Sequence, residues 1–190
     1  MQNKKLLLIT FSILSSLLIF SGMCYAYQTI LINFHDDRDW VKVYNQTRGN
    51  EHIVQFVPPG QSYRNWTESY IFHSYKIQDF KGNAISFLGA LTRKMQRQNN
   101  TKPYVTIKRT NNDAIATRCI ASNEFIKSQC DIYRVTIGQE SIISIQYINK
   151  NTSNFKSNYD KYLESVSEAN PYYSYFRNDR IMSKGTSFEL

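Results

Sequence analysis

Residues 130–166 read CDIYRVTIGQESIISIQYINKNTSNFKSNYDKYLESV, and the order of patterns in this stretch decides the fold. Its first two runs, CDIYRVTI over 130–137 and SIISIQYI over 141–148, are rich in β-branched and aromatic residues that suit a pleated surface. Gly138 and Gln139 mark a turn between them, so the two runs read as neighbouring antiparallel strands. The period then changes. Phe155, Tyr159, Tyr162, Leu163 and Val166 form one apolar stripe at helical spacing, with Ser153 or Asn154 as cap and Asn170-Pro171 as stop.

Working upstream, PYVTIKRT, turn residues Asn111-Asn112-Asp113 and AIATRCIA extend the same block into an antiparallel meander. Cys119 ends one strand and Cys130 starts the next, so the connection 120–129 can be tied across its neck. Ahead of this block Ala84, Phe87, Leu88, Leu91 and Met95 make a helical stripe with Asn83 as N-cap, ending near Asn99, Asn100 and Pro103. Arg93, Lys94 and Arg97 fall in its last turns, where cations complement exposed carbonyls, and are read as helix-end charge rather than a nucleic-acid patch. Further strands are QTILINF, WVKVYNQ, HIVQFV and SYIFHSYK, the third stopped by Pro58-Pro59-Gly60. The last carries aromatics on both faces.

Strands, helix, strands, helix without βαβ alternation predicts an α+β fold, one antiparallel sheet covered by two main helices. The 190 residues, 42% hydrophobic, suit one domain with a core, and exclude a disordered chain. At this size the fold stands without metal or cofactor. The tail from about 170, aromatic and polar without a period, is expected to be mostly irregular.

Residues 1–26 carry Lys4 and Lys5, an apolar run from Leu6 to Phe20, and small and polar residues up to Ala26, which is the order of a secretory signal peptide. The run is short and hydroxyl-interrupted for a membrane span, so no transmembrane segment is expected after cleavage. Cleavage after Ala26 leaves 27–190 as a single α+β domain of 164 residues and lowers the formal charge from +8 to +6. Cys24 leaves with the leader. Cys119 and Cys130 are then an even pair in an oxidising compartment, which reads as a disulfide. Two thiols without a neighbouring His fall short of a metal site, and no CxxC redox motif occurs.

The densest polar cluster, His35-Asp36-Asp37-Arg38-Asp39 before Trp40, lacks metal-ligand spacing and reads as a solvated turn. The chain has three histidines, His35, His52 and His73. Two of them, with Lys76, would suit acid and base roles in phosphodiester cleavage. No GxSxG, GxGxxG or GxxxxGK[ST] run is present. The most individual segment is VPPGQSYRNWTE over 57–68. There Trp66 reads as an aromatic anchor, and Arg64 and Trp66 are candidate binding residues. Tyr172, Tyr173, Tyr175 and Phe176 could supply amphipathic anchors for a partner protein. Asn45, Asn65, Asn99 and Asn151 open glycosylation sequons that a chain rich in Asn, Ser and Thr produces by chance.

The VPPGQSYRNWTE run followed by an aromatic strand resembles a segment of small signal-peptide-bearing proteins of the bacterial envelope. The SIISIQYI strand leading into FKSNYDKYLESV is similar to the end of PsbP-like and DcrB-like domains. These resemblances imply helices covering an antiparallel sheet and an accessory or binding role, and carry no catalytic residues. The expected function is therefore that of an exported, periplasmic or secreted, non-enzymatic protein with an unidentified protein partner and no cofactor. A small His-dependent secreted hydrolase is the alternative. A cationic binder of anionic surfaces, resting on the mature charge, is the third expectation.

Overall fold

A computed structural model describes residues 29–34, 36, 38–77, 80–124, 126–138, 141–174 and 186–189. The leader at 1–26, His35, Asp37, Tyr175 and Phe176 lie outside the described residues. Strand β8 (Ser141–Asn149) is buried at every one of its nine positions, because it has a strand on each side and helices over each face. On one side it pairs with β4 (Glu68–Lys76), in register from Glu68↔Asn149 to Lys76↔Ser141. On the other it pairs with β7 (Gln129–Ile137), from Cys130↔Asn149 to Ile137↔Ile142.

From these the sheet extends outward. Beyond β4 come β3 (Glu51–Val57) and the edge strand β2 (Val41–Arg48); beyond β7 come β6 (Asp113–Ile120) and the edge strand β5 (Val105–Arg109). The seven-stranded order is β2-β3-β4-β8-β7-β6-β5, antiparallel throughout. The α+β expectation is met, with one addition: the helices lie on opposite faces. Helix α1 (Ala84–Asn99) packs on β6 and β7, over Ala114, Ala116, Tyr133 and Val135. Helices α2 (Thr152–Ser157) and α3 (Tyr159–Glu168) cover the other face, where Phe155, Tyr162 and Val166 meet Phe72, Ile132, Ile145 and Tyr147. The rings of Tyr147 and Tyr162 are 4.5 Å apart.

The capping chemistry of α1 follows the sequence reading. The Asn83 side chain accepts the Ser86 N–H at 2.9 Å and the Ser86 hydroxyl accepts the Asn83 N–H at 3.0 Å, a reciprocal box. Asn100 ends the helix in the left-handed region at φ 46°, which asparagine tolerates. The second stripe is not one helix. It breaks at Asn158, and the cap of its first piece is Asn151, whose side chain accepts the Asn154 N–H at 2.9 Å, rather than Ser153 or Asn154. Asn154 is needed elsewhere: its Oδ1 accepts from Tyr162 and Asn149.

The tail departs further from expectation. β9 (Asn170–Ser174) and β10 (Thr186–Glu189) flank β1 (Thr29–Phe34) in a separate three-stranded sheet, antiparallel on both sides. Their partner is remote in sequence, and strands of five and four residues are too short to display a period.

Cys119 and Cys130 stand opposite each other on β6 and β7 and form the expected disulfide, eleven residues apart. Closing a loop of that length removes chain entropy from the unfolded state. The Cys119→Ser, Cys130→Ser double variant is expected to lose about 2 to 3 kcal/mol of unfolding free energy in denaturant titration while keeping its far-ultraviolet spectrum.

Candidate functional site

Alternation along β6 puts Thr117 and Cys119 on the face covered by α2 and α3 and turns Arg118 to the opposite face. Where α2 and α3 stop short of the sheet edge, an open groove of about 370 Å³ remains. Its lining is Val105, Thr117, Arg118, Cys119, Phe155, Lys156 and Tyr159, mostly apolar. Val105 pairs with Thr117 and is 66% exposed at the start of the edge strand. Phe155 is buried beneath, and Lys156 stands exposed at the rim. Partial burial raises the Tyr159 phenol above its usual range, with Asp160 adding to the rise and a hydrogen bond with Thr117 opposing it. The groove thus offers apolar walls, one disulfide and one rim cation, a composition suited to an apolar side chain beside an acidic group.

Directly behind the disulfide, on the α1 face, lies a buried ion pair. Arg118 Nη2 donates to Asp131 Oδ2 at 3.1 Å, with side-chain exposures of 2% and 1%. The Tyr104 hydroxyl donates to the same oxygen at 2.7 Å, as does Gln146 at 3.3 Å, while Arg118 Nη1 donates to Thr101 at 2.6 Å. The guanidinium also lies 4.2 Å over the Tyr104 ring. Among the described residues Asp131 Oδ1 and Arg118 Nε have no hydrogen-bond partner. Burial raises the Asp131 carboxyl, and the neighbouring Arg118 opposes that rise. Arg118↔Asp131 and Cys119↔Cys130 are consecutive rungs, so the bridge on one face holds the register of the charges on the other. The sequence signal for this cluster was available: in Arg118-Cys119 and Cys130-Asp131 opposite charges adjoin both half-cystines.

The described histidines do not converge. His52 and His73 occupy neighbouring strands on opposite faces, since Ile53, not His52, is the register partner of His73. His52 is half-buried, with Nε2 2.6 Å from Asn45 Oδ1. His73 Nδ1 lies 2.6 Å from Glu51 Oε1 and 3.2 Å from the Tyr75 hydroxyl. Burial lowers the His73 pKa more than Glu51 raises it. Burial raises the Glu51 carboxyl, but the bonds from His73 and Tyr75, helped by Lys94, outweigh it and leave the pKa low. Lys76 ends β4 exposed. Among the described residues no three His, Cys, Asp or Glu gather as a metal set, and no helix is long and apolar enough to cross a membrane.

The acidic turn needs correction. Asp36 is buried rather than solvated, because Arg38 folds back on it through Nε at 2.9 Å and Nη2 at 2.7 Å. Arg38 Nη1 continues to Glu68 at 2.7 Å, which also accepts from Tyr147 at 2.7 Å. Trp40, 4.8 Å from that guanidinium, is buried beside Tyr70. Asp36, Arg38 and Trp40 are thus tied to the core, while Asp39 is exposed.

In the 57–68 segment Gly60 takes φ 78°, and Gln61 clamps Thr67 through its backbone N–H at 2.7 Å and its hydroxyl at 2.9 Å. Trp66 is half-buried with Lys150 Nζ 3.5 Å over its ring and bonded to its carbonyl at 2.8 Å. Arg64 is exposed. Tyr172 and Tyr173 fall in β9, opposite Leu31 and Ile30. Arg64 and Trp66 do not line the groove, and its own residues were not among the binding candidates, because β5, α2 and α3 meet only in space. No protein-family model matches the chain, and no curated protein sequence matches it.

A pH dependence follows from His73. Its folded pKa lies below the usual value, so the unfolded chain takes up a proton first as pH falls; stability present above about pH 6.5 is lost below it. Glu51, also lowered, adds a loss in the lower carboxylate range. Thermal unfolding between about pH 8 and pH 5.5 should show a falling midpoint, and a shallower fall in His73→Gln.

Proposed function

We propose that this chain is an exported binding protein that acts through contact with another protein and performs no turnover. The groove between β5 and the α2–α3 layer carries the reading: it has apolar walls and a cationic rim that suit a partner's apolar anchor flanked by an acid. The placement of His52 and His73 on opposite faces weighs against a shared acid and base site built from those two. The disulfide fits an oxidising compartment, in keeping with the leader-like residues 1–26. The likeness of the VPPGQSYRNWTE run to small envelope proteins leans the same way.

Two measurements test this. A photoreactive side chain placed at Val105 or Lys156 should crosslink one dominant protein in the producing cell, and one placed at Lys76 should not. Adding Tyr159→Ala should weaken that capture roughly tenfold, the loss of one well-packed contact of about 1.4 kcal/mol. Equal crosslinking from all three positions, or none, rejects the groove. Export is tested separately by amino-terminal sequencing: protein recovered outside the cytoplasm should begin at Tyr27, and a chain retained inside with residues 1–26 intact rejects it.

A further inference from the structure

Helix α1 carries a second surface, unrelated to the groove. Its inner side is anchored by Ala84, Leu88 and Thr92, all buried, which fixes the rotation of the helix on the sheet. The outward side therefore always presents Arg93, Lys94 and Arg97, each exposed, and the sixteen residues of α1 include no acid. Among the described residues none of the three is in an ion pair; Lys94 feels Glu51 only through space. With Ala90 and Gln98 they line a shallow hollow of about 380 Å³, large enough for a phosphate group.

We infer that this face docks on the anionic headgroup surface of a phospholipid bilayer. Helix-end complementarity accounts only for Arg97, which lies in the last turn; Arg93 and Lys94 lie further back. The three charges span little more than one turn, roughly 6 Å of helix axis, a span that matches neighbouring headgroups. The outward side has no aromatic ring to stack a base, so it lacks the usual means of holding single-stranded nucleic acid. Ala90 is the one apolar residue lining the hollow, so the contact is electrostatic and superficial rather than inserted. Each cation held near an anionic membrane strengthens binding roughly fivefold.

The test is co-sedimentation of the purified protein with vesicles of phosphatidylcholine, with and without phosphatidylglycerol. Binding is expected only with phosphatidylglycerol and should fall as salt rises. The triple variant Arg93→Gln, Lys94→Gln, Arg97→Gln should bind roughly 100-fold more weakly, whereas Tyr159→Ala should bind as the parent does. Circular dichroism checks that the variants fold, and the single variant Arg97→Glu serves if the triple does not. Equal binding to both vesicles, undiminished binding of the variants, no binding at low salt, or capture of a single-stranded oligonucleotide in place of vesicles would each overturn the inference. A failed groove crosslink leaves this result untouched, and the reverse holds as well.

Discussion

The pairing of β8 with both β4 and β7 joins two otherwise separate hairpin series, β2-β3-β4 and β5-β6-β7. Every residue of β8 is buried, so its backbone groups have only these two neighbours to satisfy them. The constraint reaches the side chains. Ile143, Ile145 and Tyr147 face α2 and α3, while Ile142, Ser144 and Gln146 face the α1 side. A slip of one residue would exchange the two sets and set Ser144 and Gln146 among the rings of Phe72 and Tyr162. Register and helix placement are one decision.

Buried polar groups on the central strands make that decision specific. Arg134 on β7 donates to the carbonyls of Val166 at 3.1 Å and Ala169 at 2.8 Å, where α3 ends, and to Asp113 at 2.8 Å. A cation from the sheet thus completes a helix end that has no basic residue in its own last turn. Asn149, fully buried, donates to Tyr147 and Asn154 and accepts the Asn151 N–H, which sets where α2 begins. The Arg118 and Asp131 pair acts similarly on the other face, tying β6 and β7 to the segment after α1 through Thr101 and Tyr104. Buried charges contribute little net stability, but each penalises the arrangements in which it would lose its partner.

Local chemistry made much of this legible. The strand runs, the Asn83 cap, the helix end near Asn100 and the cysteine pair are all decided by neighbours in sequence or by a short loop. Long-range chemistry hid the rest. Asp36 reads as solvated in isolation and is buried only because Arg38 and Glu68, thirty residues apart, meet over the core. At the Asn158 break the Asn158 side chain donates to the Asn154 carbonyl at 3.0 Å, while the Asn154 side chain serves Tyr162 and Asn149 instead of a cap. β9 and β10 depend on β1, at the far end of the described chain. The groove is assembled from β5, β6, α2 and α3, and its sequence trace is the apolar Val105, exposed at the start of an edge strand that ends in Lys108 and Arg109.

The sheet edges bear on how a partner could be held. An open edge strand invites strand addition, yet both edges here are interrupted. The β2–β3 register shifts between Lys42 and Tyr44, and the β5–β6 register shifts between Thr106 and Lys108. Lys42 and Arg48 sit on one edge and Lys108 and Arg109 on the other. A bulge turns the edge away and a cation resists a second strand, so both are obstacles to edge-to-edge pairing. Val105 lies before the β5 bulge and leans over the disulfide, where side chains rather than backbone amides meet a visitor. On the proposed reading, a partner at this site would be recognised by what it inserts between Val105 and Tyr159 rather than by strand addition at an edge.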